Sequence, residues 1–137
     1  MARPSFTEAL NSRPWLLADG ATGTNYFQMG LVSGDAPEMW NFEHPERVRQ
    51  LHREFIAAGA DIVLTNTFGG NRHRLKLHNE QGRVREINMA AASHARTEAE
   101  AAGRTVYVGG SMGPTGEIFM PVGTMPHEEG VSAFEEQ

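Results

Sequence analysis

The chain has 137 residues, the length of one ordinary domain, and its 17 Asp and Glu exceed its 12 Lys and Arg to give a formal net charge of −5. This acidity argues against a nucleic-acid partner, because phosphate contacts depend on basic side chains. No apolar run approaches the roughly 18 to 20 residues that cross a bilayer, and the first residues lack the apolar segment of a signal peptide. We therefore expect a cytoplasmic protein with a small-molecule partner and no membrane contact.

The chain contains no Cys, which excludes disulfides and thiolate metal ligands within it. Its six His include no pair at the i, i+4 spacing that places two ligands on one helix face. Any metal here would have to use His and carboxylate, and the sequence predicts no metal ligand in this chain.

The first 43 residues combine a short helix, a strand and a long irregular stretch. Two prolines bracket a helix that we predict over Ser5–Leu10, and the apolar run Trp15–Ala18 predicts a strand that ends at Asp19. A Gly-rich and Thr-rich turn follows over 20–24, and irregular chain continues to Glu43. A connection of this length is typically functional or covers a site.

The next segment has the pattern of a helix that leads into a strand. Pro45 and Glu46 suit a helix start, and apolar residues then recur at helical spacing until Gly59. The run Ile62–Thr65 predicts a second strand. Because the link is too short for a hairpin, the first and second strands should be parallel and joined by a crossover.

The remaining chain repeats this arrangement. A basic stretch near residues 72–85 has no interleaved aromatic residues, so it favours a solvated helix face over a nucleic-acid patch. An Ala-rich helix is predicted over Arg83–Ala102, a third strand over Thr105–Val108 and a last helix from His127 to Gln137. The three strands end at Asp19, Thr65 and Ser111, which are evenly spaced by 46 residues.

The polar residues at these strand ends are the candidate site, because ligands of α/β proteins bind at the carboxyl ends of parallel strands. Asp19 could bind a substrate ammonium, with the backbone N–H groups of Gly20 and Ala21 free for a substrate carboxylate. The alternative is an Asp that caps its own turn. Thr65, Asn66 and Ser111 offer further polar groups, or they hold the rim of the protein together.

Four linked motifs resemble the amino-terminal part of the homocysteine S-methyltransferase family, and together they span most of the chain: Leu17–Thr24, Glu43–Phe55, Ala58–Phe68 and Gly109–Gly116. The resemblance implies a TIM (β/α)₈ barrel in which cysteine thiolates near later strands bind zinc. The zinc would hold homocysteine as a thiolate that accepts a methyl group to give methionine. It also implies that Asp19 binds the amino group of homocysteine and that Gly20 and Ala21 bind its carboxylate.

Residues 1–137 would then be the first three βα units of one homocysteine-binding barrel domain, incomplete and inactive alone. The zinc ligands would lie in the carboxy-terminal remainder of the barrel, which would be a partner of this chain. The protein could also form a homo-oligomer. The methyl donor could be betaine-like, a methyl-corrinoid or an S-methyl compound. Gly69 and Gly70 stand where the betaine enzymes carry an aromatic residue, which weighs against betaine without excluding it.

Two other interpretations fit the same pattern. The chain could be a complete α/β module that binds a small molecule, or part of another TIM-barrel enzyme that acts on a small anionic substrate.

Overall fold

A computed structural model describes residues 3–137 as an α/β arrangement of seven α-helices and two strands. In chain order these are α1 (Phe6–Ser12), α2 (Gly23–Gln28), α3 (Trp40–Glu43), α4 (Pro45–Ala57), β1 (Ile62–Leu64), α5 (Arg72–Leu75), α6 (Val84–Ala101), β2 (Tyr107–Gly109) and α7 (His127–Glu136). Single turns of 3-10 helix cover Pro37–Met39, Lys76–His78 and Gln81–Arg83. No helix among residues 3–137 has the length and hydropathy needed to cross a membrane.

The β segments form a parallel sheet with β1 in the middle. β1 pairs with β2 in a parallel register in which Val63 faces Val108, and Ala18 forms a parallel bridge with Ile62. All three segments therefore run in the same direction, which confirms the parallel arrangement predicted from the short helix-to-strand link.

The prediction of a strand over Trp15–Ala18 is wrong, because this segment forms only a single bridge, at Ala18. Within residues 3–137 this segment has a neighbour on one side only, and Trp15 and Leu17 are exposed. A strand that lacks one neighbour loses half of its ladder hydrogen bonds. The other two strands shift by one or two residues, so that Thr65 lies just beyond β1.

The stretch between residues 20 and 43, which was predicted to be irregular, contains α2, a 3-10 turn and α3. A buried cluster fixes it on α4: Tyr26, Leu31 and Trp40 pack against Val48 and Leu51. These apolar residues are too widely spaced to give a helical pattern, so tertiary packing determines the local structure here.

The main core lies between the sheet and two helices. Ile56 of α4 and Ala95 and Ala99 of α6 pack against Val63 and Val106. In the predicted Ala-rich helix, Ala91, Ala95 and Ala99 are fully buried on one face of α6, and their small side chains allow the helix to lie close to the strands.

Asp61 fixes the chain that leads to the first strand end. Its carboxylate binds the Arg13 guanidinium through two hydrogen bonds of 2.8 and 3.0 Å and accepts the Leu17 N–H at 3.0 Å. These bonds hold the pKa of Asp61 below its ordinary value, with the Arg13 hydrogen bond as the largest cause. The carboxylate thus places residues 17–19 beside β1.

Candidate functional site

Asp19 lies at the end of the first β segment and bonds to the neighbouring strand. Its N–H donates to the Ile62 carbonyl at 2.9 Å, and its Oδ2 accepts the Leu64 N–H at 2.9 Å. The carboxylate therefore does not cap its own turn. Its second oxygen, Oδ1, is buried and has no hydrogen-bond partner in the described part of the chain.

Burial raises the pKa of Asp19, and the hydrogen bond from Leu64 opposes this effect. The Tyr26 hydroxyl is also buried and has no hydrogen-bond partner among residues 3–137. Burial, followed by the negative charges of Glu38 and Asp19, raises the pKa of Tyr26. Two carboxylates thus act on one buried hydroxyl, and this corner of the protein is suited to receive a cationic group.

The backbone after Asp19 is open to solvent. Gly20 and Ala21 are exposed, and their N–H groups donate no hydrogen bond within residues 3–137. A side chain at Gly20 would place its Cβ 3.3 Å from the Phe55 ring, so glycine lets the chain pass close to α4. A free acceptor at Asp19 and two free donors therefore lie within three consecutive residues.

Thr65 and Ser111 join the ends of β1 and β2. The Thr65 hydroxyl lies 2.6 Å from the Thr67 hydroxyl and accepts the Ser111 N–H at 3.1 Å. Thr67 in turn donates to the Ser111 carbonyl at 2.8 Å. The structure brings these strand ends together, but it uses the Thr65 hydroxyl and the Ser111 backbone within the protein.

Asn66 fastens the stretch before α3 to the strand ends. Its side-chain amide donates to the Pro37 carbonyl at 2.7 Å, while its own carbonyl accepts from the Asn41 side chain at 3.0 Å. Glu38 completes this attachment, because its Oε1 accepts the Gly69 N–H at 2.6 Å. The binding roles predicted for Asn66, Thr65 and Ser111 stay predictions.

Sequence reasoning missed three polar residues of this region: Tyr26, Glu38 and Asn41. The pair Pro37-Glu38 carries the same helix-start signal as Pro45-Glu46 and could have located the 3-10 turn. Nothing in the sequence pattern marks Tyr26, because the burial of its hydroxyl and the effect of Glu38 and Asp19 on its pKa depend on the tertiary structure.

The residues present do not form a zinc site. Thiolate ligands are absent because the chain has no Cys, and no group of three His, Asp or Glu within residues 3–137 is arranged to hold a metal ion. Any metal chemistry would need ligands from outside this chain.

The structure is an α/β protein whose parallel strand ends present a carboxylate oxygen without a partner among residues 3–137 and two free backbone amides, at the edge of the sheet where α/β proteins bind their ligands. The family model described as homocysteine S-methyltransferase matches residues 16–137. The chain belongs to the homocysteine S-methyltransferase family, a family of methyltransferases that act on homocysteine.

Similar proteins include methionine synthase of Mycobacterium tuberculosis (strain ATCC 25618 / H37Rv), which is 35% identical over 72% of this chain and 9% of its own length. Betaine–homocysteine S-methyltransferase 1 of Sus scrofa is 35% identical over 83% of this chain and 43% of its own length. The metallated crystal structure of the homocysteine methyltransferase MmuM from Escherichia coli aligns with a TM-score of 0.68 at 26% identity, over 77% of this chain and 40% of that one. The chain thus spans less than half the length of these relatives.

Proposed function

We propose that the chain is the amino-terminal part of a homocysteine S-methyltransferase domain and that it binds the amino-acid end of homocysteine. Asp19 would accept hydrogen bonds from the substrate ammonium, and the Gly20 and Ala21 amides would donate to the substrate carboxylate. The reaction is methyl transfer to the homocysteine sulfur, which gives methionine. In this proposal residues 1–137 are the first three βα units of a (β/α)₈ barrel in a cytoplasmic enzyme.

The observation that carries this proposal is the buried Oδ1 of Asp19, which has no hydrogen-bond partner among residues 3–137. A buried acceptor without a partner costs free energy, and for a carboxylate the cost is larger. An ammonium at Oδ1 would remove this cost and pair with the charge. The neighbouring free amides match the other end of an α-amino acid.

The proposal assigns the metal to sequence outside residues 1–137. Zinc, when bound, would keep the homocysteine thiol ionised at neutral pH. The part played by this chain is to orient the substrate through its amino and carboxylate groups. We therefore expect the chain alone to bind no metal tightly and to have no methyltransferase activity.

The test uses a completed domain, in which this chain is joined to the rest of the barrel encoded after it in the same reading frame. If the reading frame ends at Gln137, the corresponding carboxy-terminal part of the E. coli homocysteine methyltransferase is joined to the chain instead. Asp19→Asn keeps an oxygen for the Leu64 N–H and removes the charge. Since a hydrogen bond to a charged group contributes about 1.5–3 kcal/mol, the homocysteine Kd should rise about 10- to 100-fold.

Binding is measured by calorimetry and methionine formation by a product assay. Glu128→Gln, an equal charge change at an exposed position on α7, is the matched control and should change neither. Thermal unfolding of each variant separates lost binding from lost structure. An unchanged homocysteine Kd in Asp19→Asn would remove Asp19 from the site.

A further inference from the structure

Gln137 places one side-chain amide between the ends of β1 and β2. Its Nε2 donates to the Thr67 carbonyl at 2.8 Å and to the Ser111 carbonyl at 3.4 Å. Thr67 follows the end of β1, and Ser111 follows the end of β2. A single side chain therefore bridges the loops that follow the two strands.

Helix α7 carries Gln137 to this position because it is attached to α5 at two points. Arg72 Nε donates to Glu136 Oε2 at 2.6 Å. Two turns earlier in α7, Glu129 Oε1 lies 3.5 Å from His73 Nε2. These contacts place the carboxyl end of α7 beside the strand ends, so the bridge formed by Gln137 follows from the way in which the helix docks.

The bridge acts on two loops that already contact each other. The Thr67 carbonyl also accepts the Gly70 N–H at 2.8 Å, which closes the turn at the start of the loop after β1. The Ser111 carbonyl also accepts the Thr67 hydroxyl at 2.8 Å. Gln137 adds α7 to this junction, and a third element thus fixes the spacing of the two loops.

The orientation of the Gln137 amide is set by its neighbours. If the amide were turned over, Oε1 would face two carbonyl oxygens, so only the donor half can point at the strand ends. Oε1 is buried and has no hydrogen-bond partner among residues 3–137. A methionine would fill the same space without burying an unpartnered acceptor, so packing alone does not account for a glutamine here.

Asp19 lies on the other side of β1 from this bridge. The sheet order is the segment that ends at Ala18, then β1, then β2, and Asp19 bonds to Ile62 and Leu64 of β1. Gln137 instead joins the loop after β1 to the loop after β2. Its hydrogen bonds therefore do not involve the groups that are proposed to anchor the amino-acid end of homocysteine.

We propose that Gln137 is a positioning residue for methyl transfer, which fixes the loops after β1 and β2 relative to each other without touching the substrate. The inference rests on the proposed function, since these loops form the rim beside the homocysteine anchor. A loosened rim would misorient the reacting groups and leave the anchoring contacts intact. Because a misplacement of about 1 Å can lower a rate about 100-fold, the effect belongs in kcat rather than in homocysteine affinity.

The first test replaces Gln137 in the completed domain. Gln137→Met keeps the size of the side chain and removes the donor, so kcat should fall about 10- to 100-fold while the homocysteine Kd stays within about 3-fold of the wild type. Amide hydrogen exchange of Gly70 and Ser111 should become faster, because both N–H groups belong to the loops that the bridge fixes. The matched control Gln50→Met, at an exposed position on α4, should change none of these quantities.

Gln137→Glu tests the same role through pH, and it does so even if Gln137→Met fails to fold. The ionised carboxylate would face the Thr67 and Ser111 carbonyls and repel them, whereas the protonated form can donate its O–H to one of them. Both effects raise the pKa of the introduced carboxyl above its ordinary value. The ratio of variant to wild-type kcat should therefore rise as the pH falls from about 8 to about 6, and the exchange of Ser111 should slow in parallel. Gln50→Glu should give a ratio that does not change with pH.

A kcat of folded Gln137→Met within about 2-fold of the wild type would overturn the inference. A loss that appears in the homocysteine Kd instead of kcat, or a Gln137→Glu ratio that is constant with pH, would overturn it as well. If homocysteine binding depends on Asp19 while the Gln137 variants behave like the wild type, only the positioning role is wrong. If the wild-type completed domain forms no methionine while Ser111 exchange responds to Gln137→Met, the proposed function is wrong and the bridge is structural only.

Discussion

Some buried polar side chains of this protein form hydrogen bonds within it, and others have no hydrogen-bond partner among residues 3–137. Thr65, Thr67 and Asn66 use their polar groups to join neighbouring loops. Asp19 Oδ1 and the Tyr26 hydroxyl do not. Because unsatisfied buried groups are costly, the open acceptor of Asp19 beside the free amides of Gly20 and Ala21 is more informative about function than the residue types are.

His52 gives a residue-scale prediction that concerns stability. It is buried on α4, and burial, reinforced by nearby His94 and opposed by Glu98, lowers its pKa to about 4. The unfolded chain therefore binds a proton that the folded protein does not between about pH 6.5 and about pH 4. The stability that His52 contributes is complete above this window and falls as the pH falls through it.

Between about pH 7 and about pH 5 the completed domain should lose about 2 kcal/mol of unfolding free energy through this residue. Urea unfolding at both pH values measures the loss. His52→Leu should remove this part of the pH dependence, whereas His78→Leu, at an exposed position, should retain it. An identical pH dependence in the wild type and His52→Leu would show that the ring is accessible to protons.

At the scale of elements, the sequence predicts the helices and strands that depend on a local pattern of residues. It misses those that depend on packing or pairing with a neighbouring element. Helices α4 and α6 follow from periodic apolar residues and glycine stops, and their bounds differ from the predicted ones by one or two residues. The segment Trp15–Ala18 has a strand composition but too few partners to form a ladder. Helices α2 and α3 form because Tyr26 and Trp40 pack on α4, which no local pattern reveals.

The candidate site follows the same division. The strand ends at Asp19, Thr65 and Ser111 could be predicted, since each closes an apolar run. The contribution of Glu38 could not, because it depends on the approach of residues 34–38 to Gly69 across 31 positions of sequence. Long-range attachments of this kind are set by tertiary packing rather than by propensity.

The loop after β2 gives an element-scale prediction, because its close approach to the loop after β1 requires a glycine at one position. A Cβ at Gly113 would lie 2.5 Å from the Phe68 carbonyl oxygen, whereas a Cβ at Gly110 would meet nothing within 4 Å. Gly113→Ala should cost about 1–3 kcal/mol by overpacking. Gly110→Ala should stay within about 0.5 kcal/mol of the wild type.

Urea unfolding of the two variants in the completed domain compares the same chemical change at two sites of one loop. Equal stability of Gly113→Ala and Gly110→Ala would mean that the loop after β2 can move away from the Phe68 carbonyl without a loss of unfolding free energy. In that case the two loops would not be rigidly joined.

At the scale of the whole molecule, the sheet has one well-covered face and an edge with exposed apolar side chains. Trp15 is 62% exposed and Leu17 is 47% exposed beside the single bridge at Ala18. Exposed apolar side chains next to an unpaired strand edge mark a surface that another chain segment covers. In the proposed barrel, this edge would receive the strand that closes the sheet.

Tryptophan fluorescence tests this assignment, since the chain has two Trp and they differ sharply in exposure: Trp40 is 4% exposed and Trp15 is 62% exposed. In the chain alone, Trp15 should emit at long wavelength and be quenched readily by acrylamide. In the completed domain its emission should shift to shorter wavelength and its quenching should fall severalfold. Trp15→Phe isolates the signal of Trp40, which should be the same in both proteins. If Trp15 is equally accessible in both, the edge stays open in the larger protein, and residues 1–137 behave as a self-contained α/β module rather than as the first part of a barrel.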